Sequence, residues 1–277
     1  AMFFLGRSIG AIAYGLRMQR EIKTQATAGT ALENTEALLF AENWGLGFGS
    51  EGTQPSGTAS SDKLKEYNAY YVGDAGEKKI YLTFDCGYEN GNTSQILDAL
   101  KKHNAPATFF VVGTRVKEGA EVLKQEVAQG CEIGNHTWDH ANLAKLSMKK
   151  VNKQYDKTAD LVKKLVGYDI TLLRPPYGAI SAKMRKKLKH PMVLWNTDTL
   201  DWKSKNTKAI MKEIKKNVKD GDIILMHDIH PTTVEALKKV LPWLVKNDYD
   251  ILTVSELAKR KGAVMHDGKA YGGFTGN

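Results

Sequence analysis

From Lys79 onward, short apolar runs alternate strictly with charged segments of helical period. The runs have strand length and are rich in β-branched and aromatic residues, which is typical of buried strands. Because parallel strands need a crossover, usually a helix, between them, this alternation predicts an α/β fold with a parallel sheet, closed or nearly closed as a barrel. The runs are Ile80–Phe84, Thr108–Val112, Glu132–Gly134, Leu172–Leu173, Met192–Trp195, Ile223–Met226 and Ile251–Thr253.

The segments between these runs carry the predicted helices. Their apolar residues recur at helical spacing and their remaining positions are mostly charged, so one face of each should pack on the sheet. The candidates are Thr93–His103, Val116–Gln129, Met148–Val166, Ala182–Leu188, Lys208–Val218, Thr232–Val245 and Ser255–Arg260.

Five polar clusters lie where predicted strands end and loops begin. In parallel α/β sheets and barrels this edge carries the chemistry. Alone, each cluster has an ordinary explanation, such as a helix cap or a surface ion pair, but five at one edge indicate a functional site. The clusters are Thr83–Gly87, Asn135–His140, Arg174–Gly178, Asp198–Trp202 and Leu225–Asp228.

Two histidines in the second cluster, His136 and His140, are spaced i, i+4. One helical turn would direct both imidazoles to the same side, as a divalent metal requires. On a surface helix this spacing alone would be weak, but here it follows a predicted strand beside four other polar clusters. The sequence therefore predicts a metal-binding pair.

Taken together, the five clusters resemble the five motifs of the carbohydrate esterase family 4, or NodB-type, polysaccharide deacetylases, in the same order and spacing. The resemblance spans about Lys79 to Arg260. It implies a distorted (β/α) barrel of about seven parallel strands with an N-terminal accessory segment. Residues 44–49, 70–74 and 85–91 further resemble the PdaA-like branch, whose members are δ-lactam-forming de-N-acetylases of muramic acid in peptidoglycan.

The resemblance also implies roles for individual residues. His136 and His140 would hold one divalent metal, most simply zinc, with cobalt or manganese as alternatives. Asp85 would be the general base, Arg174 would hold it ionised, and His227 would be the general acid, oriented by Asp201. The remaining assignments are the backbone N–H of Tyr177 as oxyanion donor and a substrate-binding wall made of Pro176, Tyr177, Trp202 and Leu225.

Cys86 departs from the pattern, because most of the family has an aspartate there that is usually the third metal ligand. A thiolate would suit zinc and complete a Cys/His/His site with an open position for water. Alternatively, Cys86 points away and the metal is held by His136 and His140 with Asp85 or water. We expect the first arrangement. Asp228 and His230 lie beside the fifth cluster without an assigned role.

The expected domains are a helical and extended N-terminal segment (1–70), the NodB-type domain (71–261) and a Gly-rich C-terminal tail (262–277). The net charge of +9, from 40 basic and 31 acidic residues, fits an anionic partner. No nucleic-acid-binding motif accompanies it, so the favoured partner is a bacterial wall glycan, peptidoglycan, bound by a monomer without an obligate protein partner. We expect an exported, wall-associated protein whose export signal is absent from this sequence.

Three alternatives stay open. Deacetylation of chitin-like oligosaccharides or of O-acetyl xylan would use nearly the same chemistry. A non-catalytic wall-glycan-binding protein could use the same fold, but the presence of all the expected catalytic residues argues against it.

Overall fold

The computed structural model describes residues 78–88, 91–260 and 264–273. The central strand of its sheet is the buried strand β1 (Lys78–Cys86). β1 pairs in parallel with β2 (Thr108–Val111) on one side and with β6 (Ile223–His227) on the other. β3 (Glu132–Asn135) extends the sheet beyond β2, and β5 (Thr197–Asp198) extends it beyond β6. The sheet order is therefore β3-β2-β1-β6-β5.

Short strand pairings extend this sheet towards a closed barrel. Leu173 forms single parallel bridges to Asn135 of β3 and to Met192, the first residue of β4 (Met192–Val193). β4 pairs with β8 (Ala270–Tyr271), and Gly273 forms an antiparallel bridge to Asp222 just before β6. β7 (Tyr249–Ile251) pairs with the first residues of β1. The distorted (β/α) barrel is thereby confirmed.

The helices follow the strands along the chain. They are α1 (Asn92–Lys102), α2 (Ala120–Ala128), α3 (Met148–Val166), α4 (Ala182–Lys187), α5 (Asp201–Ser204), α6 (Thr207–Asn217), α7 (Pro231–Lys246) and α8 (Val254–Arg260). Short 3-10 turns lie at Leu143–Lys145 and Pro176–Gly178. Among the described helices, none is long and apolar enough to cross a membrane.

The two faces of β1 face two different cores. Because alternate strand residues point to opposite faces, Ile80, Leu82 and Phe84 pack in the larger core, which includes buried residues of the helices. Tyr81, on the other face, belongs to the smaller core formed with residues of the other strands, such as Leu225. The odd-numbered positions of β1 therefore direct side chains toward the interior of the barrel.

The structure differs from the predicted elements in several places, and the helix α5 (Asp201–Ser204) was not predicted. β5 and β8 were not predicted, because a pairing of two residues is too short to show a period. Leu172–Leu173 is not a full strand, since only Leu173 forms bridges. β8 lies within the stretch assigned to the C-terminal tail, whereas the segment 1–70 lies outside the described residues.

Candidate active site

Arg174 is the fully buried centre of the site at the carboxyl end of β1. Its Nη1 donates to Asp85 Oδ1 at 2.9 Å, and its Nη2 donates to Thr83 Oγ1 at 2.8 Å. Nη2 and Nε also donate to the backbone carbonyls of Leu194 and Val193. The guanidinium group is thus held in one orientation, which fixes the Asp85 carboxylate that it contacts.

The electrostatic surroundings of Asp85 favour its ionised form. Burial by itself would raise the pKa of this carboxyl group, but the nearby His136, Arg174 and His227 outweigh burial and lower the pKa below its ordinary value. Asp85 is therefore a carboxylate at neutral pH, which is the form that can accept a proton.

His136 is buried and presents one unpartnered ring nitrogen to Asp85. Its Nδ1 lies 2.8 Å from the backbone oxygen of Arg174, so the neutral ring carries its proton on Nδ1 and donates it to that oxygen. Its Nε2 has no hydrogen-bond partner and lies 3.3 Å from Asp85 Oδ2. Burial lowers the pKa of His136 to about 4, so at neutral pH the lone pair of Nε2 faces a carboxylate oxygen.

His140 completes the pair, but not through a helical turn. Residues 136–140 form a loop, in which Thr137 and His140 have φ of 71° and 60°. This loop brings the two imidazole rings edge-to-face, with centroids 4.9 Å apart. The Nδ1 atom of His140 lies 3.2 Å from the Tyr177 hydroxyl. The prediction of a histidine pair on one face holds in space, but the predicted helical geometry is wrong.

The donor set of this pair fits a divalent cation. An orphaned, neutral imidazole nitrogen beside a carboxylate concentrates negative density in one place, and neutral imidazole is the commonest metal ligand in proteins. Among residues 78–88, 91–260 and 264–273, no group of three or more His, Cys, Asp or Glu side chains is arranged to hold a metal ion. The described chain thus offers the two imidazoles, with the nearby Asp85 or water to complete the coordination.

Cys86 does not join the histidines, which corrects its assignment as the third ligand. β1 continues through Cys86, so residues 85 and 86 point to opposite faces of the sheet. The Cys86 Sγ donates to Asp228 Oδ2 at 2.7 Å, and the side chain packs in the larger core. Burial, followed by the neighbouring Asp228 and Glu126 carboxyl groups, raises the pKa of the Cys86 thiol well above its ordinary value.

His227 and Asp201 form the second charged pair of the site. The buried Asp201 accepts from the Nδ1 of His227 at 2.8 Å, from the His227 backbone N–H at 2.7 Å and from Thr233 Oγ1 at 2.8 Å. Burial of His227 opposes its protonation, but the Asp201 carboxylate outweighs burial, with smaller contributions from Asp85 and Asp198, and raises the His227 pKa to about 9. His227 is therefore an imidazolium at neutral pH.

The base and acid candidates face each other across two paired strands. In the β1–β6 register, Asp85 and His227 are direct Cα partners. Both occupy positions on the barrel-interior face, as Thr83 and Leu225 do two residues earlier. A substrate bond held above this edge would have a proton acceptor on one strand and a proton donor on the next.

The predicted substrate-binding residues lie around this edge. Tyr177 is exposed (58%) and has a φ of 62° beside the buried Pro176. Leu225 is buried in the smaller core, and the partly buried Trp202 lies in α5 directly after Asp201. Trp202 Nε1 is 3.5 Å from Asp198 Oδ2. These positions are compatible with a wall around a small acyl group.

Two supporting residues were missed by the sequence reasoning. Thr83 shares the face of Asp85 two residues earlier, so strand alternation could have found it as a partner of Arg174. Thr233 supports Asp201 from the first turn of α7, and no local pattern pointed to it.

Comparison with known proteins places this geometry in a family. The sequence pattern of a family described as polysaccharide deacetylase matches residues 72–192. The peptidoglycan-N-acetylmuramic acid deacetylase PdaC of Bacillus subtilis is 42% identical over 188 residues, which cover 68% of this chain and 40% of PdaC. Its solved structure superposes with a TM-score of 0.66, covering 69% of this chain and 94% of the solved one at 42% identity.

Further relatives cover more of their own length. The peptidoglycan-N-acetylmuramic acid deacetylase PdaA of B. subtilis is 34% identical over 227 residues, 79% of this chain and 86% of PdaA. A Bacillus cereus peptidoglycan-N-acetylglucosamine deacetylase is 38% identical over 193 residues, 67% of this chain and 90% of the relative. Thus the chain spans less than half of PdaC but most of these two relatives.

A solved family 4 acetyl xylan esterase from Clostridium thermocellum, in complex with a cobalt ion, gives a TM-score of 0.67 at 32% identity. The match covers 71% of this chain and 98% of the esterase. Metal dependence is general in this family, and the histidine pair described above fits it. The matched sequence pattern, the relatives covered over most of their length and the barrel agree: this chain belongs to the polysaccharide deacetylase family.

Proposed function

We propose that this protein hydrolyses N-acetyl groups from peptidoglycan sugars, most directly from N-acetylmuramic acid residues. One observation carries the proposal: an ionised Asp85 and a protonated His227 occupy paired positions at one edge of the barrel. Amide hydrolysis needs both at once, because water must lose a proton as it attacks and the leaving amine must gain one.

Each proton transfer has a residue prepared for it. Asp85, held by Arg174, takes a proton from the attacking water. The C–N bond of the acetamide then breaks, and His227, held by Asp201, gives its proton to the departing amine nitrogen, leaving acetate and a free amino sugar. The backbone N–H of Tyr177 would stabilise the oxyanion, and Trp202 and Leu225 would enclose the acetyl methyl.

A divalent cation, most simply zinc with cobalt or manganese as alternatives, would be held by His136 and His140. When bound, it would polarise the acetyl carbonyl and favour ionisation of water. The unpartnered Nε2 of the buried His136 supports this assignment. Because that imidazole is neutral at physiological pH, no proton has to leave it before an ion binds.

The choice of muramic acid rests on the two relatives PdaC and PdaA, which are named as peptidoglycan-N-acetylmuramic acid deacetylases. The net charge of +9 is compatible with work among the anionic polymers of a bacterial wall. We further propose that the protein works outside the cytoplasm, at the wall, and as a monomer. Similarity to an acetyl xylan esterase keeps an O-acetylated or chitin-like glycan as the alternative substrate.

The test is acetate release from four substrates with added Zn²⁺, Co²⁺ or Mn²⁺: peptide-stripped glycan strands, intact peptidoglycan, chitooligosaccharide and acetylated xylan. We expect release from a peptidoglycan substrate and muramic acid rather than glucosamine as the new free amine. Asp85→Asn is the matched inactive variant. Acetate release from xylan or chitooligosaccharide alone would replace the proposed substrate. If the metal-loaded protein released no acetate from any of the four substrates, the proposed deacetylase activity would be refuted.

A further inference from the structure

A second polar network lies directly behind the site, on the opposite face of β1. Its centre is Asp228, a fully buried carboxylate that follows His227 and takes no part in the proton transfers described above. Asp228 Oδ1 accepts from the backbone N–H of Gly87 at 2.7 Å, and Oδ2 accepts from Cys86 Sγ at 2.7 Å and from Thr93 Oγ1 at 2.5 Å. The hydrogen bonds from these donors, most of which lie at the end of β1, offset the free-energy cost of burying the carboxylate.

The position of these contacts along the strands gives them significance. Cys86 follows the base candidate Asp85, and Asp228 follows the acid candidate His227, while Asp85 and His227 are themselves register partners. The Cys86–Asp228 bond therefore joins β1 and β6 one residue beyond the last pair of their ladder. Any separation of the strand ends would change the distance between the two catalytic side chains.

The chemistry of position 86 follows from this network. Asp228 and, 4.0 Å away, Glu126 both face the Cys86 sulfur. An aspartate at position 86 would bring a third carboxyl group next to these two, and in its ionised form it would have no hydrogen to donate. The protonated thiol of Cys86 supplies that donor. Glu126 in turn accepts from the hydroxyl of Tyr88, which fixes the chain just after Cys86.

We propose that Asp228 is a positioning residue for the deacetylation, which acts through the Cys86 thiol and the Gly87 N–H to hold the base Asp85 at its working distance from the acid His227. This inference rests on the proposed function, because it assigns a role within that reaction. It adds a role for the cysteine that the metal does not require.

The experiment compares two pairs of variants. Asp228→Asn and Cys86→Ala remove the acceptor charge and the thiol donor. The controls are Asp222→Asn and Cys131→Ala: Asp222 is a buried, hydrogen-bonded carboxylate just before the opposite end of the same strand β6, and Cys131 is a buried thiol in the same core. The variants and their controls should lose similar stability in urea unfolding. Cys86→Ser restores a hydroxyl donor.

We expect Cys86→Ala and Asp228→Asn to lower kcat at least about tenfold, and up to about a hundredfold, with KM within about twofold, because a displacement of about 1 Å is enough for such a loss. Cys86→Ser should recover most of the kcat lost in Cys86→Ala. The control variants should keep kcat near that of the unmodified protein. Equal kcat in variants and controls at matched stability would overturn the proposal.

A second readout does not need turnover. Asp85 contributes to the raised pKa of His227, so an NMR titration of His227 reports how close the two groups are. In Cys86→Ala, which removes no charge, the His227 pKa should fall, and it should recover in Cys86→Ser. An unchanged His227 pKa in Cys86→Ala would overturn the positioning role even if no glycan substrate were cleaved, whereas absent acetate release by the unmodified protein would refute the proposed function alone.

Discussion

Asp201→Asn is the substitution that most directly tests how the site keeps its acid protonated. The His227 pKa rises from an ordinary 6.5 to about 9, which corresponds to about 3 kcal/mol in favour of the imidazolium at about 1.4 kcal/mol per pKa unit. Asparagine removes the carboxylate, while burial, the largest single effect on this pKa, still lowers it against the smaller contributions of Asp85 and Asp198. We therefore expect the His227 pKa in the variant to fall below 6.5.

The consequence for catalysis can be worked out at pH 8. With a pKa of about 9, about nine tenths of His227 is protonated, and with a pKa of 6.5 or less the protonated fraction is at most about 3%. Protonation alone therefore lowers the rate about thirtyfold. Loss of the bond that orients Nδ1 adds to this, so we expect kcat/KM to fall by about 10² to 10⁴.

The assay is the pH profile of kcat/KM for acetate release, with Asp222→Asn as the buried-carboxylate control. The alkaline limb, near pH 9 in the unmodified protein, should move below about 6.5 in Asp201→Asn and stay in place in the control. Stability should follow the same group, because a raised pKa stabilises the fold fully below 6.5 and this contribution is lost as the pH rises through about 9. An alkaline limb that does not move would refute the assignment of Asp201 to His227.

Four further outcomes are expected. Asp85→Asn should lower kcat by at least about 10² in acetate release while circular dichroism stays native. Arg174→Lys should lose several of the bonds made by the buried guanidinium, and urea unfolding should show a loss of about 3 kcal/mol or more. Cys86→Ala should bind Zn²⁺ with unchanged stoichiometry and affinity, and the native protein should not react with a thiol reagent until it is unfolded. Calorimetric Zn²⁺ affinity should begin to fall only below the ordinary histidine pKa of 6.5, because burial lowers the pKa of His136 to about 4 and also lowers that of His140; a steep loss that begins above pH 6.5 would contradict the buried histidines.

The sequence predicts correctly those elements that are long enough to show a hydrophobic period. The helix expected over Met148–Val166 is observed with the same bounds, because nineteen residues of amphipathic pattern leave little ambiguity. By contrast, Thr197–Asp198 and Ala270–Tyr271 each form a strand of two residues, which only their partners across the sheet define. The ring of strands therefore follows from tertiary contacts that no local pattern records.

The site shows the same division at the level of single residues. Spacing brought His136 and His140 together correctly, although a loop with two positive φ angles does what a helical turn was expected to do. Cys86 was misplaced because the predicted strand ended at Phe84: two more residues of strand turn position 86 to the outer face. Asp228 had no expected role, because its partners come from β1 and α1, more than a hundred residues earlier.

The two buried charged pairs, Arg174–Asp85 and Asp201–His227, together set the pH range in which the site can work. An acid and a base can work together only between their two pKa values, where the base is ionised and the acid is protonated. For a free carboxyl and imidazole that window is narrow and lies below neutral pH. Arg174 helps to lower the Asp85 pKa and Asp201 raises that of His227 to about 9, so the window includes neutral pH. Because Arg174 and Asp201 are fully buried, solvent does not strongly screen their effects on the pKa values of Asp85 and His227. The parallel register of β1 and β6 then places the two prepared groups side by side, so the pH range and the geometry of the reaction depend on the same two strands.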